Sequence, residues 1–380
     1  MLSRLFQRRL LSTLMRTSSN TKIDTKLCEA YKSLFVIATP SNVNALLLEV
    51  FEINIRYPEL QVVFATVDSV LSKRNYSSQI WSDKLLEVGN VKPLDTSDEL
   101  ELMDDGVSAV RLKNNWELTT STLSLKIGQN VAQIPVANTL FQTKFMSTMF
   151  YLNPWESDSQ PDSHSHSHSH SHSHSHSHSH SHSHSHSPPN PHKWAGHRLN
   201  SLEVTLPISE TSPEIGYSDC LRPITEELTV TKAVKNLIQN LDGKPAAHFL
   251  EKNENIKSTE SKVYVSIEGS IPNYSKPKFQ VLAGGGWGVK GGMLAISPEI
   301  GDVKVGSTIR FHIYDPEANP RIGELEGVFY ERTLPQTTYN ETEPAGPDLE
   351  GVFGLGSEHG FVLNGISHTS PREICRVCAK

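Results

Sequence analysis

The sequence predicts a mixed α/β (α+β) protein whose two lobes carry mixed sheets. Three observations lead there. A strand–helix–strand unit occupies Leu34 to Val67, short alternating apolar stretches recur from there to near the C-terminus, and a long Ser–His repeat splits them into two halves. The divisions that follow are a leader over 1–20, an N-terminal lobe over 28–153, a loop over 154–197 and a C-terminal lobe over 198–380. At 380 residues the chain is long enough for two separate cores.

The totals narrow the function classes. No apolar run reaches the length of a membrane span; the closest, Ile134 to Leu152, is broken by Asn138, Gln142 and Lys144. Four cysteines do not make a disulfide framework and point to a reducing compartment. The net charge is −7, yet Arg4, Arg8, Arg9 and Arg16 all lie in the first 17 residues, which hold no acid. The rest of the chain is therefore more acidic than the total, which disfavours direct nucleic-acid binding.

Residues 1–20 are rich in Arg, Ser and Leu. Leu2, Leu5, Phe6, Leu10 and Leu14 lie near one helical face with arginines around it, the pattern of a mitochondrial presequence rather than of a secretory signal. The expected destination is the matrix. Cleavage fits after Leu11, within Arg9-Leu10-Leu11-Ser12, or near Arg16.

Leu34 to Ala38 is a continuous apolar run, as expected for a strand covered on both faces. Pro40 and Ser41 open a helix with Ser41 as N-cap. Leu46, Leu47, Val50, Phe51 and Ile53 or Asn54 form its apolar face, and Tyr57-Pro58 stops it. Gln61 to Val67 is again a strand. Such a unit is a right-handed crossover between parallel strands. It leaves Asp68 and Ser69 at a carboxyl strand end, where open α/β sheets commonly hold ligands. Residues 77–92 carry no readable pattern. Six acids between Asp95 and Asp105 lack the spacing and the glycine of a calcium loop and read as a solvated loop. Val107–Leu112, Trp116–Leu125 and Val131–Val136 alternate as strands, and Thr139–Leu152 returns to the sheet.

Ser163 to Ser187 alternates 13 serines with 12 histidines between flanking prolines. With nothing apolar to bury, it cannot offset its ordering entropy and reads as a disordered loop. Its imidazoles could gather zinc, nickel or copper without fixed geometry. The regularity favours expansion of a simple repeat in a tolerant surface loop.

Leu202 to Ile208 resumes a strand. After it, Val230, Ala233, Val234, Leu237, Ile238 and Leu241 have helical spacing. Leu228 to Val230 and Leu237-Ile238 also suit two strands around Lys235-Asn236, ending at Asp242-Gly243, with Pro245 opening a helix to about Lys252. Here the chain resembles FIST domains. Thr231, Asn236, Leu241, Asp242, Gly243, Pro245 and Ala246 match the hairpin and helix that begin the C-terminal half of that family. Leu34–Val67 is similar in plan to its N-terminal half, although Val62 to Thr66 lacks the family's glycine and paired small hydroxyl residues. The resemblance selects the hairpin for 228–241 and implies two lobes of FIST-like plan. It also implies a sensory module that binds small ligands, with amino acids or similar metabolites as their class. FIST domains occur as well in proteins that couple to ubiquitin ligases.

Six glycines fall between Gly284 and Gly292. Gly286-Trp287-Gly288-Val289-Lys290-Gly291 has the letters of a dinucleotide fingerprint, but strand-like Met293 to Ile296 follows where a helix is required. Two readings stay open. Backbone amides at Gly286 and Gly288 could meet an anionic ligand, with Lys290 as counter-charge and Trp287 as an apolar wall. The alternative is a tight crossing of strands. Thr308 to Ile313 alternates as a strand, with His312 on its Thr308–Arg310 face. In a second glycine-punctuated stretch, Gly351 to Gly365, Glu358 and His359 are either an adjacent acid–base pair or turn residues. Cys375-Arg376-Val377-Cys378 is either a redox pair or half a zinc site that His359 and His368 could complete, on an expected frayed tail.

No catalytic set and no cofactor motif emerge. The expected function is a non-catalytic small-ligand sensor or binding module of the mitochondrial matrix, with its groove near the Gly284–Gly292 and Gly351–Gly365 loops. The alternative is an accessory factor that docks on a mitochondrial complex such as the translation machinery.

Overall fold

A computed structural model describes residues 12–93, 121–154, 196–208, 214–251, 253–256, 262–268, 277–284, 292–318, 326–335 and 346–378. The first 11 residues, the acid cluster, the strand expected over Val107–Leu112, the start of Trp116–Leu125, the Ser–His repeat and Gly286 to Lys290 lie outside the described residues.

In chain order the first strands are β1 (Thr13–Ser18), β2 (Ser33–Ala38), β3 (Gln61–Thr66), β4 (Ser77–Ser82), β5 (Glu87–Pro93), β6 (Thr122–Ile127), β7 (Asn130–Pro135) and β8 (Met149–Leu152). After the repeat come β9 (Leu199–Thr205), β10 (Glu214–Ser218), β11 (Leu221–Pro223), β12 (Leu228–Val234), β13 (Leu237–Leu241), β14 (Lys244–Pro245), β15 (Val263–Glu268), β16 (Lys278–Gly284), β17 (Leu294–Ile296) and β18 (Thr308–Tyr314). The last are β19 (Gly327–Arg332), β20 (Leu349–Glu350), β21 (Val352–Ser357), β22 (Phe361–Leu363), β23 (Ile366–His368) and β24 (Ile374–Cys378). The α-helices are α1 (Thr25–Ala30), α2 (Val43–Arg56), α3 (Leu140–Thr143) and α4 (His248–Glu251).

Strands dominate, and the α/β character expected of the whole chain is concentrated in one unit. That unit is β2–α2–β3, whose two strands run parallel in register from Ser33–Gln61 to Ala38–Thr66. They sit inside a six-stranded sheet of order β20-β1-β4-β2-β3-β8. Both faces of β2 and β3 are buried, which explains their unbroken apolar runs. One face packs on α1 and α2 through Val36, Phe64, Trp81, Leu46 and Val50. The other face joins the main core.

Two further sheets complete that core. One has the order β10-β24-β19-β21, with β19 and β21 parallel. The other has the order β23-β22-β7-β6-β9-β5, with β6 and β9 parallel. Phe35, Leu123, Leu202, Tyr330, Phe353 and Cys375 meet in the space between the three sheets. Mixed sheets are thus present, but they do not divide where the repeat does. The third sheet joins β5, β6 and β7 to β9, β22 and β23, and β20 pairs with β1. Local pattern reveals a strand but not its partner, so the halves 28–153 and 198–380 interleave.

The contiguous unit lies elsewhere. β12, β13, β17, β16, β15 and β18 pair antiparallel in a closed ring, β15 returning to β18 along six residues. Closure removes free edges. Val230, Ile238, Val265, Leu294, Ile309 and Phe311 fill the interior as a core of its own. This barrel is inserted between β10 and β19, which both pair with β24. Its β12–β13 hairpin is the one expected over 228–241, with Val234 opposite Leu237. Pro245 belongs to β14 rather than to a helix, and α4 begins only at His248.

Two further expectations change. β1 lies in the interior of the first sheet, between β20 and β4, inside the segment expected as a leader. Thr17 is buried there, its hydroxyl 2.6 Å from that of Ser78 and 2.9 Å from the Val352 carbonyl. At the other end, the expected frayed tail is β24, an interior strand between β10 and β19. No helix among the described residues is long and apolar enough to cross a membrane.

Candidate functional site

The carboxyl ends of β3, β19 and β21 converge, and three loops leave from them. The segment 67–76 after β3 lies directly on β21. Ser69 and Gly356 exchange backbone hydrogen bonds at 3.2 and 2.8 Å. The approach is close enough that side chains on β21 would obstruct it. A Cβ at Gly354 would meet Leu71 at 3.0 Å, and one at Gly356 would stand 2.2 Å from Ser69 Oγ. This accounts for the glycines at those two positions of the second glycine stretch. Leu71 and Ser72 adopt left-handed backbone angles, φ 50° and 63°, which are uncommon outside glycine. Glu331 holds that turn: its carboxylate accepts from the Ser72 amide at 2.6 Å and from the Ser72 hydroxyl.

The start of α2 supports the same segment. Asn42 Nδ2 donates to the Asn75 carbonyl at 2.6 Å, and the Ser41 hydroxyl donates to the Arg74 carbonyl. Ser41 is therefore not the N-cap. Asn42 occupies that position, and its side chain serves the loop instead of the helix.

Charged groups gather on this frame. Arg74 donates to the Asp68 carbonyl at 3.2 Å and to the Leu334 carbonyl at 2.9 Å, and pairs with Glu358 at 2.6 Å. The Glu358 amide donates to the Asp68 carboxylate at 2.8 Å. Burial pushes the Asp68 carboxyl up, against the amide bond and Arg74, which favour its charged form. Burial likewise raises Glu331. The expected pair Glu358–His359 thus belongs to a constructed cluster with Asp68, and His359 is exposed at its rim.

Arg332 is the exception in this cluster. Its guanidinium donates to the Thr333 carbonyl, but its Nε is buried without a hydrogen-bond partner. Among the described residues no carboxylate lies within ion-pair distance of it. Burial depresses its affinity for the proton, and more distant Tyr264, Glu358, Glu373 and Asp68 act the other way. Tyr264 comes from barrel strand β15, so Arg332 stands where barrel and body meet.

A second buried polar cluster lies on the same junction. Lys278 of β16 pairs with Asp219, which also accepts from Tyr217 Oη at 3.0 Å. Ser370 Oγ donates to the Lys278 carbonyl at 3.0 Å. Beneath it, His368 Nδ1 sits 2.6 Å from Glu373, and the ring stacks on Phe361 with centroids 4.8 Å apart. His312 lies on the expected Thr308–Arg310 face of β18 and is itself buried there. Its Nε2 is 2.9 Å from Ser266 Oγ, and its Nδ1 is buried without a partner. Burial, reinforced by Lys278, lowers its pKa to about 4, so the ring is neutral in ordinary buffers.

The first glycine stretch is described only at its flanks. Gly286, Trp287, Gly288 and Lys290 lie outside the described residues. Gly292 abuts Pro245, and its carbonyl accepts from Ala247 at 2.9 Å. Gly284 ends β16, roughly 20 Å along the strand from Lys278 at the junction. The flanks therefore lie with the segment that carries the FIST resemblance, not with Glu358 and His359.

Cys375 and Cys378 are three residues apart on one strand, so their side chains leave opposite faces and do not converge on one ion. Cys375 is buried in the main core, and burial pushes its thiol well up. Cys378 Sγ lies 3.5 Å from the Glu326 carbonyl, and His368 is committed to Glu373. Among the described residues no group of three or more His, Cys, Asp or Glu side chains is arranged to hold a metal ion. Comparison of the chain with protein-family models, with curated proteins and with solved structures finds no match.

Asp219, Lys278, Glu331, Arg332 and Glu373 were not singled out in the sequence. A faint signal was present. Charges that close apolar strands, as Glu331-Arg332 closes Val328 to Tyr330, mark places where a sheet end meets polar partners.

Proposed function

We propose that this chain is a non-catalytic small-ligand sensor or binding module of FIST-like kind in the mitochondrial matrix, and that its ligand carries an anionic group held by Arg332. The observation that carries the reading is the guanidinium of Arg332, part-buried at the barrel–body junction without a carboxylate partner. A buried donor without an acceptor is costly, and an anionic ligand group would satisfy it. Asp68 and Glu358 supply acceptors nearby for the ligand's own donors, and Arg74 fixes both. Sites of this kind commonly form where two units meet.

The test is thermal shift of the full chain with acetate, succinate, L-glutamate and inorganic phosphate as probes. At 100 times its dissociation constant a bound probe adds about 2.7 kcal/mol of stability. The expected result is a stabilising shift with at least one probe that Arg332→Gln abolishes. No shift with any of them, or an equal shift in the variant, overturns the reading.

The second reading, an accessory factor docking on a mitochondrial complex, is favoured by one observation, the exposed apolar side chains Leu48 and Ile55 on α2. Sedimentation of the native protein on a sucrose gradient separates the two readings. Travel with a large complex supports docking; migration as a monomer or dimer removes it.

A further inference from the structure

Helix α2 is apolar on both sides. Val43, Leu46, Val50 and Ile53 face the sheet. Leu48 and Ile55 point outward and are 68% and 82% exposed, and Phe51 flanks them, stacked on Phe150 and 49% exposed. They recur at three and four residues, the spacing of a helix-packing seam. Helix α3 extends the patch: Asn44 Nδ2 donates to the Gln142 carbonyl at 3.1 Å, and the adjacent Phe141 is 95% exposed.

Taking roughly 150–250 Å² for each such side chain, these exposures leave roughly 500 Å² of contiguous apolar surface, as large as the largest patch on a typical monomer. Doubled across a two-fold axis, that is about 1,000 Å² before any polar rim is counted, the lower bound for a specific interface. The stripe also suits pairing with itself. Antiparallel packing centred between Phe51 and Glu52 sets Leu48 against Ile55 of the other copy at each end, over a helix roughly 21 Å long. The exposed Glu52 beside the stripe, and the acidity of the chain beyond its first 17 residues, disfavour an anionic membrane surface as the occupant.

We infer that a second copy of this chain covers the outer face of α2, forming a two-fold dimer by antiparallel α2–α2 packing flanked by α3. With so small an interface, dissociation falls on the order of 10 µM.

Sedimentation velocity of the full chain from about 1 to 100 µM is the test, spanning that dissociation constant. The expected result is a monomer-to-dimer transition that Leu48→Glu or Ile55→Glu weakens at least tenfold. Both side chains are exposed, so near-UV circular dichroism of the variants should match the wild type. Glu52→Cys supplies an independent measurement, because the four natural cysteines are buried. Under mild oxidant it should cross-link two copies near the axis, and Lys26→Cys, on a different helix, should not. A wild type that stays monomeric at the highest concentration overturns the inference. So does a dimer indifferent to both substitutions, or α2-dependent flotation with phosphatidylcholine vesicles in place of self-association.

Discussion

Gly356→Ala tests the frame of the candidate site most sharply. Gly356 has no left-handed backbone angle, so an alanine there meets only a steric objection. Its Cβ would stand 2.2 Å from Ser69 Oγ, 2.7 Å from Thr333 Oγ1 and 3.1 Å from the Ser69 carbonyl. All three are well inside van der Waals contact, and one is backbone. The segment 67–76 must therefore lift from β21. Overpacking of a buried contact costs about 1–3 kcal/mol. The Ser69–Thr333 hydroxyl bond and the two Ser69–Gly356 backbone bonds weaken as well, each contributing about 1 kcal/mol. The sum is about 4–6 kcal/mol, or a fall in Tm of about 5–8 °C for a protein of this size. Thermal unfolding followed by circular dichroism reads this directly. Ser69→Ala removes the nearest atom, so the double variant should regain at least about 1 kcal/mol relative to additivity. A Tm within about 2 °C of wild type would refute the argument, because real side chains do not tolerate such contacts without movement.

Three further predictions follow from buried features. Deleting residues 1–11 should leave Tm within about 2 °C, whereas deleting 1–18 removes the interior strand β1 and should lower it by more than about 10 °C. If the leader is cut, N-terminal sequencing of the mature chain should read Ser12, since cleavage near Arg16 would sever β1. His312 titrates near 4 when folded and near 6.5 when unfolded, so the unfolded chain binds the extra proton between those values and stability falls as pH drops through that window. The loss approaches about 2–3 kcal/mol, and His312→Gln should remove it in urea titrations at pH 7 and pH 4.5. Raised carboxyls such as Asp68 and Glu331 act in the opposite direction in both proteins, so the difference between them isolates the histidine. Lys278→Met leaves Asp219 charged and buried and should cost about 3–5 kcal/mol, and adding Asp219→Asn should recover most of it.

Local chemistry was legible in the sequence where neighbours in the chain are also neighbours in space. The unbroken run Leu34–Ala38, the stop at Tyr57-Pro58 and the alternation over Thr308–Ile313 all describe the elements formed. Asp68 and Ser69 at a carboxyl strand end, and Glu358 in a glycine-rich loop, were each visible alone. Their meeting was not, because it depends on β3 and β21 lying in different sheets some 290 residues apart in the chain. The same limit hid the barrel. Its strands each alternate, but closure rests on β15 returning to β18, which no local pattern encodes. Lys278 and Asp219 carry no local signal of their pairing. Only the packing of barrel on body makes them a buried pair. The CxxC misled for a related reason. Its spacing suggests chelation on a loop or helix, but on a strand it turns the two thiols apart.

What most needs testing is whether Arg332 holds an anionic ligand at the junction. Native mass spectrometry of the gently purified full chain tests it most directly. The expected result is a small-molecule adduct on the wild type that is released on activation and absent from Arg332→Gln, with the variant otherwise folded. A wild type free of any adduct and unmoved by the anionic probes, or a variant that retains the adduct, would contradict it.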